Sequence, residues 1–100
     1  KEVYIVCADL PKDEKFGLIS QIKRSVISIP SNIAEGAGKN NNNEFFHFLG
    51  IANASSFELQ TQLILTRELN LLDAEKANSL ISKLYEIQRM IYTFKSNLKK

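Results

Sequence analysis

The chain has 100 residues, 44% hydrophobic and 24% charged, which is enough for one packed core but not two and too apolar for disorder along the whole length. Thirteen Lys and Arg against eleven Asp and Glu leave a net charge of +2, too little to argue by itself for a polyanionic partner. One Cys and one His exclude a disulfide framework within the chain and the usual zinc clusters, and no apolar run approaches the roughly 20 residues that cross a bilayer.

The chain therefore reads as one soluble, cytoplasmic domain over residues 1–100, with no cleavable signal pattern. Four Gly and two Pro leave room for long helices. No stretch alternates with period two for more than a few residues, so strands have little support. The pattern predicts one short helix followed by three long ones.

In the first segment, Lys1 to Leu10, the residues Val3, Val6, Cys7 and Leu10 fall at i, i+3, i+4 and i+7 and make one apolar stripe. Ten residues span about 15 Å, marginal for an isolated helix. The segment reads as the tail of a longer helix that starts before residue 1, and Pro11 ends it.

The second helix opens between Pro11 and Glu14, where Asp13 and Glu14 suit the positive end of the helix dipole. Ile19, Ile22, Val26, Ile29 and Ile33 follow a 3-4-3-4 spacing, a bundle seam. Pro30 lies within it and removes the bond to the Val26 carbonyl. Because the seam keeps its phase from Ile29 to Ile33, a kink is expected rather than a break. Gly36 and Gly38 are expected to supply the left-handed residues that end the helix.

Lys39 to Asn43 is a polar connection with four consecutive asparagines. It reads as a plain loop, although Asn41 with Glu44 three residues on also resembles a capping box. The third helix then runs from about Asn43 to Leu69. Phe48, Ala52, Leu59, Leu63 and Thr66 form one stripe, and Phe46, Phe57 and Ile64 a second. At 100° per residue, Phe57 and Ile64 lie about 20° and 0° from Phe46, whereas Leu59 lies about 220° away. A helix that is apolar on opposite sides has to be covered from both, so Phe46, Phe57 and Ile64 are the expected contacts with a neighbouring chain.

In the turn that follows, Asn70 suits the left-handed cap position and Asp73 the N-cap of the fourth helix. Leu72 and Ala77 stand where a hydrophobic staple would stand. The fourth helix, about Ala74 to Leu98, has Ala77, Leu80, Leu84, Ile87, Ile91, Phe94 and Leu98 spaced 3-4-3-4-3-4. Short connections make consecutive helices antiparallel neighbours. The expected fold is an all-α, up-down-up-down four-helix bundle whose first helix is short or truncated.

The stretch Phe16 to Leu63 carries a resemblance. Gly17-Leu18-Ile19-Ser20-Gln21-Ile22-Lys23-Arg24-Ser25 leads into Ser28-Ile29-Pro30-Ser31-Asn32-Ile33-Ala34-Glu35-Gly36-Ala37-Gly38. Glu44-Phe45, Phe48-Leu49, Ala52, Ser55-Ser56, Glu58-Leu59 and Gln62-Leu63 follow. This resembles the four-helix-bundle proteins encoded in intervening sequences of bacterial 23S ribosomal RNA genes. The accessory variability protein of diversity-generating retroelements is similar. The fourth helix matches in pattern only, and only the end of the first is present. The resemblance implies an antiparallel four-helix bundle assembled as a barrel-like homopentamer, a non-enzymatic role and no catalytic residues to carry over. The retroelement relative binds nucleic acid and a reverse transcriptase through a basic surface.

Chemistry finds little support in the residues. Glu44-x-x-His47 is half of a di-iron bundle motif, but such a centre needs a second copy and two further carboxylates. His47 therefore reads as a surface or interface residue, and Cys7, on an apolar stripe, as a small buried hydrophobe. Nucleophile elbow, phosphate loop and dinucleotide fingerprint are all missing. No cofactor, metal or small-molecule substrate is expected. Arg24, Asn32, Glu35 and Glu58 lie near the seams and read either as a small polar site or as buried hydrogen bonding that fixes helix register. In the second reading Arg24 or Glu35 pairs with Glu58 or with a backbone group of the third helix. Arg89, Lys95, Lys99 and Lys100 follow the last acid, Glu86. They either complement the helix dipole or, multiplied in an oligomer, form a ring for RNA or DNA.

The seam of the fourth helix is directly testable. Leu84→Ala should cost roughly 2–5 kcal/mol, read from the denaturant midpoint; a melting temperature lowered by less than about a degree would contradict a core position.

Overall fold

A computed structural model describes residues 12–99 as three helices: α1 (Lys12–Ala37), α2 (Asn42–Glu68) and α3 (Ala74–Lys99). The described residues are all-α, with no strand among them. These helices are the second, third and fourth expected from the spacing. The short first helix, with Cys7 and Pro11, lies outside the described residues, as do Lys100 and the side chains of Asp13, Glu14, Ile19 and Lys99.

α1 runs unbroken through Pro30, so the continuous apolar phase prevails over the one missing backbone bond. Its end differs from the expectation. Neither Gly36 nor Gly38 has positive φ; Asn40 takes the left-handed conformation instead, with φ 60°. Asparagine tolerates that region because its short amide can bond locally. Gly36 serves a different need. A Cβ there would stand 2.8 Å from Phe48 Cβ and 3.3 Å from Phe45 Cα. The glycine is what lets the start of α2 close on the end of α1.

The other punctuation follows from side-chain chemistry. Asn41 is the N-cap of α2 and accepts the Glu44 amide at 3.0 Å, the capping half of the box. Asn70 takes φ 59° after α2. Asp73 accepts the Lys76 amide at 3.1 Å at the head of α3, and Leu72 and Ala77 on either side of that cap are both buried.

α2 is the central helix. It packs on α1 and on α3, whereas α1 and α3 do not pack on each other among the described residues. The core consists of Ile22 and Ile29 from α1, Leu49, Ala52, Leu59 and Leu63 from α2, and Ala77, Leu80, Ile81, Leu84 and Ile91 from α3, with Leu72 of the turn. Each large aliphatic side chain removed from water contributes about 1.5–3 kcal/mol. The two helix pairs are joined differently. α3 meets α2 through large side chains, including Phe94 against Phe45 at a ring separation of 5.1 Å. α1 meets α2 through small ones, notably Ser25, Ser55 and Ser56, all buried, and Gly36.

Gly36→Ala tests that close approach. Alanine favours a helix interior by about 1 kcal/mol over glycine, yet overpacking against Phe45 and Phe48 costs about 1–3 kcal/mol. The expected result is a net loss of stability in chemical denaturation; a gain would show that α1 and α2 are not held at this distance.

Candidate assembly surface

The polar side chains near the seams do not form the cluster that their sequence positions suggest. Arg24 and Glu35 stand about 200° and 220° around the helix from the buried Ile22, and both are exposed. Glu35 pairs with Lys39 one turn on, at 3.3 Å, not with α2. Glu58 is exposed as well. The expectation of a buried charged register is thus corrected for these three residues: eleven residues return Glu35 to the side of Arg24, but that side faces water.

The register is carried instead by short neutral groups. Ser28 and Ser55 share a hydrogen bond of 2.7 Å, and the half-buried Asn32 donates to the Ser28 carbonyl at 2.8 Å and to its hydroxyl at 3.0 Å. Ser25 donates to Glu58 Oε1 at 3.4 Å. Of the four residues first considered, Asn32 sits half-buried inside this network and Glu58 joins it from an exposed position. Serines at 25, 28 and 55 carry no sequence signal of their own; only their 3-residue spacing on the α2 side of α1 could have pointed to them.

The outward side of α2 is different. The inner stripe is covered as expected, with Ala52, Leu59, Leu63 and Thr66 buried and Phe48 half-buried. On the opposite side, Phe57 is 50% exposed. Phe46 is half-buried, with Lys95 Nζ 4.6 Å from its ring centroid, and Ile64 leans on the core cluster. Leu65, also 50% exposed, joins this face although the sequence pattern did not single it out. From Phe48 to Arg67, α2 contains two ionisable residues, Glu58 and Arg67. Glu58 turns towards α1 and Arg67 towards α3, where it donates to Asn78 at 2.6 Å. Gly50, Ala54, Phe57, Thr61 and Leu65 between them form an outward strip without charge.

Two further features flank α2. Between α1 and α3 lies an apolar groove of about 660 Å³, floored by Leu49, Leu59 and Leu63 and walled by residues such as Val26, Ile33, Leu84 and Phe94. Lys83 is the charged residue on its lining. On α3, Arg89 is exposed between Tyr85 and Tyr92, whose rings are 49% and 70% exposed. Lys95 reaches back over α2, where Gly50 leaves room for its ammonium group. Among the described residues no three His, Cys, Asp or Glu side chains converge as a metal site. No helix among them is long and apolar enough to cross a membrane.

These features define an all-helical protein of antiparallel neighbours, with an apolar groove on one side of its central helix and an uncharged strip on the other. The chain belongs to the family of 23S rRNA-intervening sequence proteins, whose family model matches residues 1–93. No curated protein matches it.

The serine contact makes a specific prediction. Ser28→Ala or Ser55→Ala alone strands the partner hydroxyl and should cost about 1–2 kcal/mol each. The double variant should cost less than the two added together, a coupling measurable in a double-mutant cycle.

Proposed function

We propose that this protein is a non-enzymatic, self-assembling helical scaffold. Each copy is an up-down-up-down four-helix bundle. Copies associate through the outer strip of α2, with Phe46, Phe57 and Ile64 at its α3 edge and Leu65 beyond, into a closed homopentamer. The observation that carries this reading is the outward strip of Gly50, Ala54, Phe57, Thr61 and Leu65: Phe57 and Leu65 are half exposed on it, and the charges near it stand at its borders, Glu58 on the α1 side and Lys95 over the Gly50 end. Water-facing helix surfaces ordinarily carry charge, whereas the centre of a protein interface is depleted of it. Membership in the family supports the same reading through the bundle and ring that its sequence resemblance implies.

Light scattering at tens of micromolar should report an oligomer. Phe57→Glu combined with Leu65→Glu should shift it to monomer with helical circular dichroism retained, because two carboxylates would be buried unpaired at the contact. A strict monomer in the unsubstituted protein would end the proposal.

A second reading is a nucleic-acid-binding accessory protein acting through the end of α3. What favours it is the acid-free run after Glu86 and the pairing of an exposed Arg89 with exposed tyrosine rings, since bases stack on such rings. It predicts binding to a single-stranded oligonucleotide that weakens steeply with salt and is lost on neutralising Arg89, Lys95, Lys99 and Lys100. Binding indifferent to salt, or none at low salt, would count against it.

A further inference from the structure

We infer that neighbouring copies meet head to tail, the α3 border of one on the α1 border of the next, with Arg89 against Glu58 of the next copy and Glu86 against its Arg24. This rests on the self-assembly reading above and adds what that reading leaves open: which two surfaces touch, and at what height.

An odd number of copies excludes the simplest contact. An isologous contact uses one patch twice and pairs copies off, so a five-membered ring closes only through two different patches. The back of the molecule has two. On α3, Gln88 turns towards α2, where it donates to Gln60 at 2.8 Å, and Lys83 lines the groove. Tyr85, Tyr92 and Arg89 lie about 100°, 80° and 140° around α3 from Leu84, in the rotational sense of Gln88 and opposite to Lys83. They border the strip on the side away from the groove. On α2, Phe57 lies on the α3 half of the strip and Leu65 on the α1 half, about 160° and 240° from Leu59 in the sense of Gln60. Beyond Leu65 comes Glu58, which Ser25 of α1 bonds at 3.4 Å. One border is aromatic and ends in a cation; the other is aliphatic and ends in an acid.

The order of signs is reversed on the two borders. Passing away from α2 across α3, Arg89 comes first and then Glu86, at about 140° and 200° from Leu84. Passing away on the other side, Glu58 comes first and then Arg24 of α1, about 160° from Ile22 in the sense of Ser25. All four are exposed, and none makes an ion pair among the described residues. Laid border to border, cation meets acid twice.

Height agrees too. Copies in a closed ring are related by rotation without translation, so with the bundles standing along the ring axis residues of equal height meet. The Gln60–Gln88 bond puts Arg89 level with Leu59 of the antiparallel α2, and the Ser28–Ser55 bond puts Arg24 at that same level. Glu58 and Glu86 lie within about one turn of it. Charges at the edge of a contact set register and partner choice more than affinity. The area between them comes from Phe57, Tyr85, Tyr92 and Leu65, each about half exposed or more, and aromatic side chains are enriched in interface centres.

The test joins two copies through positions that separate chains supply. In a Cys7→Ala background, Arg89→Cys and Glu58→Cys are made in different chains, one with a longer tag, refolded together and treated with a short bismaleimide. The expected product on a denaturing gel is a mixed dimer of one long and one short chain, with each variant alone left unlinked. Links between two Arg89→Cys chains would show that one border meets itself and would overturn the inference, as would thiols that react singly without linking. Charge reversal gives an independent readout. Arg89→Glu or Glu58→Arg alone should raise the concentration at which the oligomer dissociates by roughly tenfold or more, because like charges then face each other. Both changes in one chain should recover most of that loss; simple additivity would overturn the pairing. Should Arg89→Glu leave dissociation unchanged yet abolish binding of a single-stranded oligonucleotide, Arg89 serves the second reading and the inference falls. Light scattering on the unlinked mixture keeps the two claims apart: an oligomer without mixed links sinks this contact alone, and a monomer sinks the assembly with it.

Discussion

Everything in this molecule hangs on one helix that has to be covered all round. α2 contacts both other described helices, and they do not pack on each other. An ordinary amphipathic helix keeps a polar side for water. α2 keeps almost none: its inner stripe is core, one flank is serine packed on α1, the other flank meets α3, and its back is uncharged. α1 and α3, by contrast, each have a clear wet side, where Arg24 and Glu35 or Glu86 and Arg89 lie exposed.

The two flanks of α2 solve the same problem by different means. Towards α3, large side chains interlock, and Lys95 lays its ammonium group over Phe46, a contact worth about 0.5–1 kcal/mol at an exposed site. Towards α1, close approach replaces bulk. Gly36 has no side chain to intrude between the helices, and Ser28, Ser55 and Asn32 satisfy one another in the narrow space. Hydrogen bonds between short side chains are directional and tolerate little sliding, which is a reason for the α1–α2 register to be well defined.

The groove and the uncharged strip are two consequences of the same arrangement. Because α1 and α3 flank α2 without meeting, an apolar groove opens between them along Leu49, Leu59 and Leu63. Because α2 is apolar behind as well, that side needs a cover. In the proposed assembly the strip at the back of α2 is met by another copy.

The sequence by itself determined the helical class, the caps at Asn41, Asn70 and Asp73 and the approximate limits of the elements. Period-3.6 spacing, Asn41, Asn70 and Asp73 act within a few residues of where they stand, so their consequences are legible locally. The run from Ala77 to Ile91 was legible for the same reason. The family, too, was visible in the phrase from Ser31 to Gly36. Only the tertiary structure decided which polar residues hold the helices together. Arg24 and Glu35 share a side of α1, but one sequence cannot say whether that side faces water. Ser28 and Ser55 become partners only when two helices 27 positions apart in the chain are brought side by side. Gly36 was legible as a glycine and misread as a turn, because its reason is the Phe45–Phe48 edge of another helix. Contacts between distant segments are set by packing, and packing is not written in any one window of the chain.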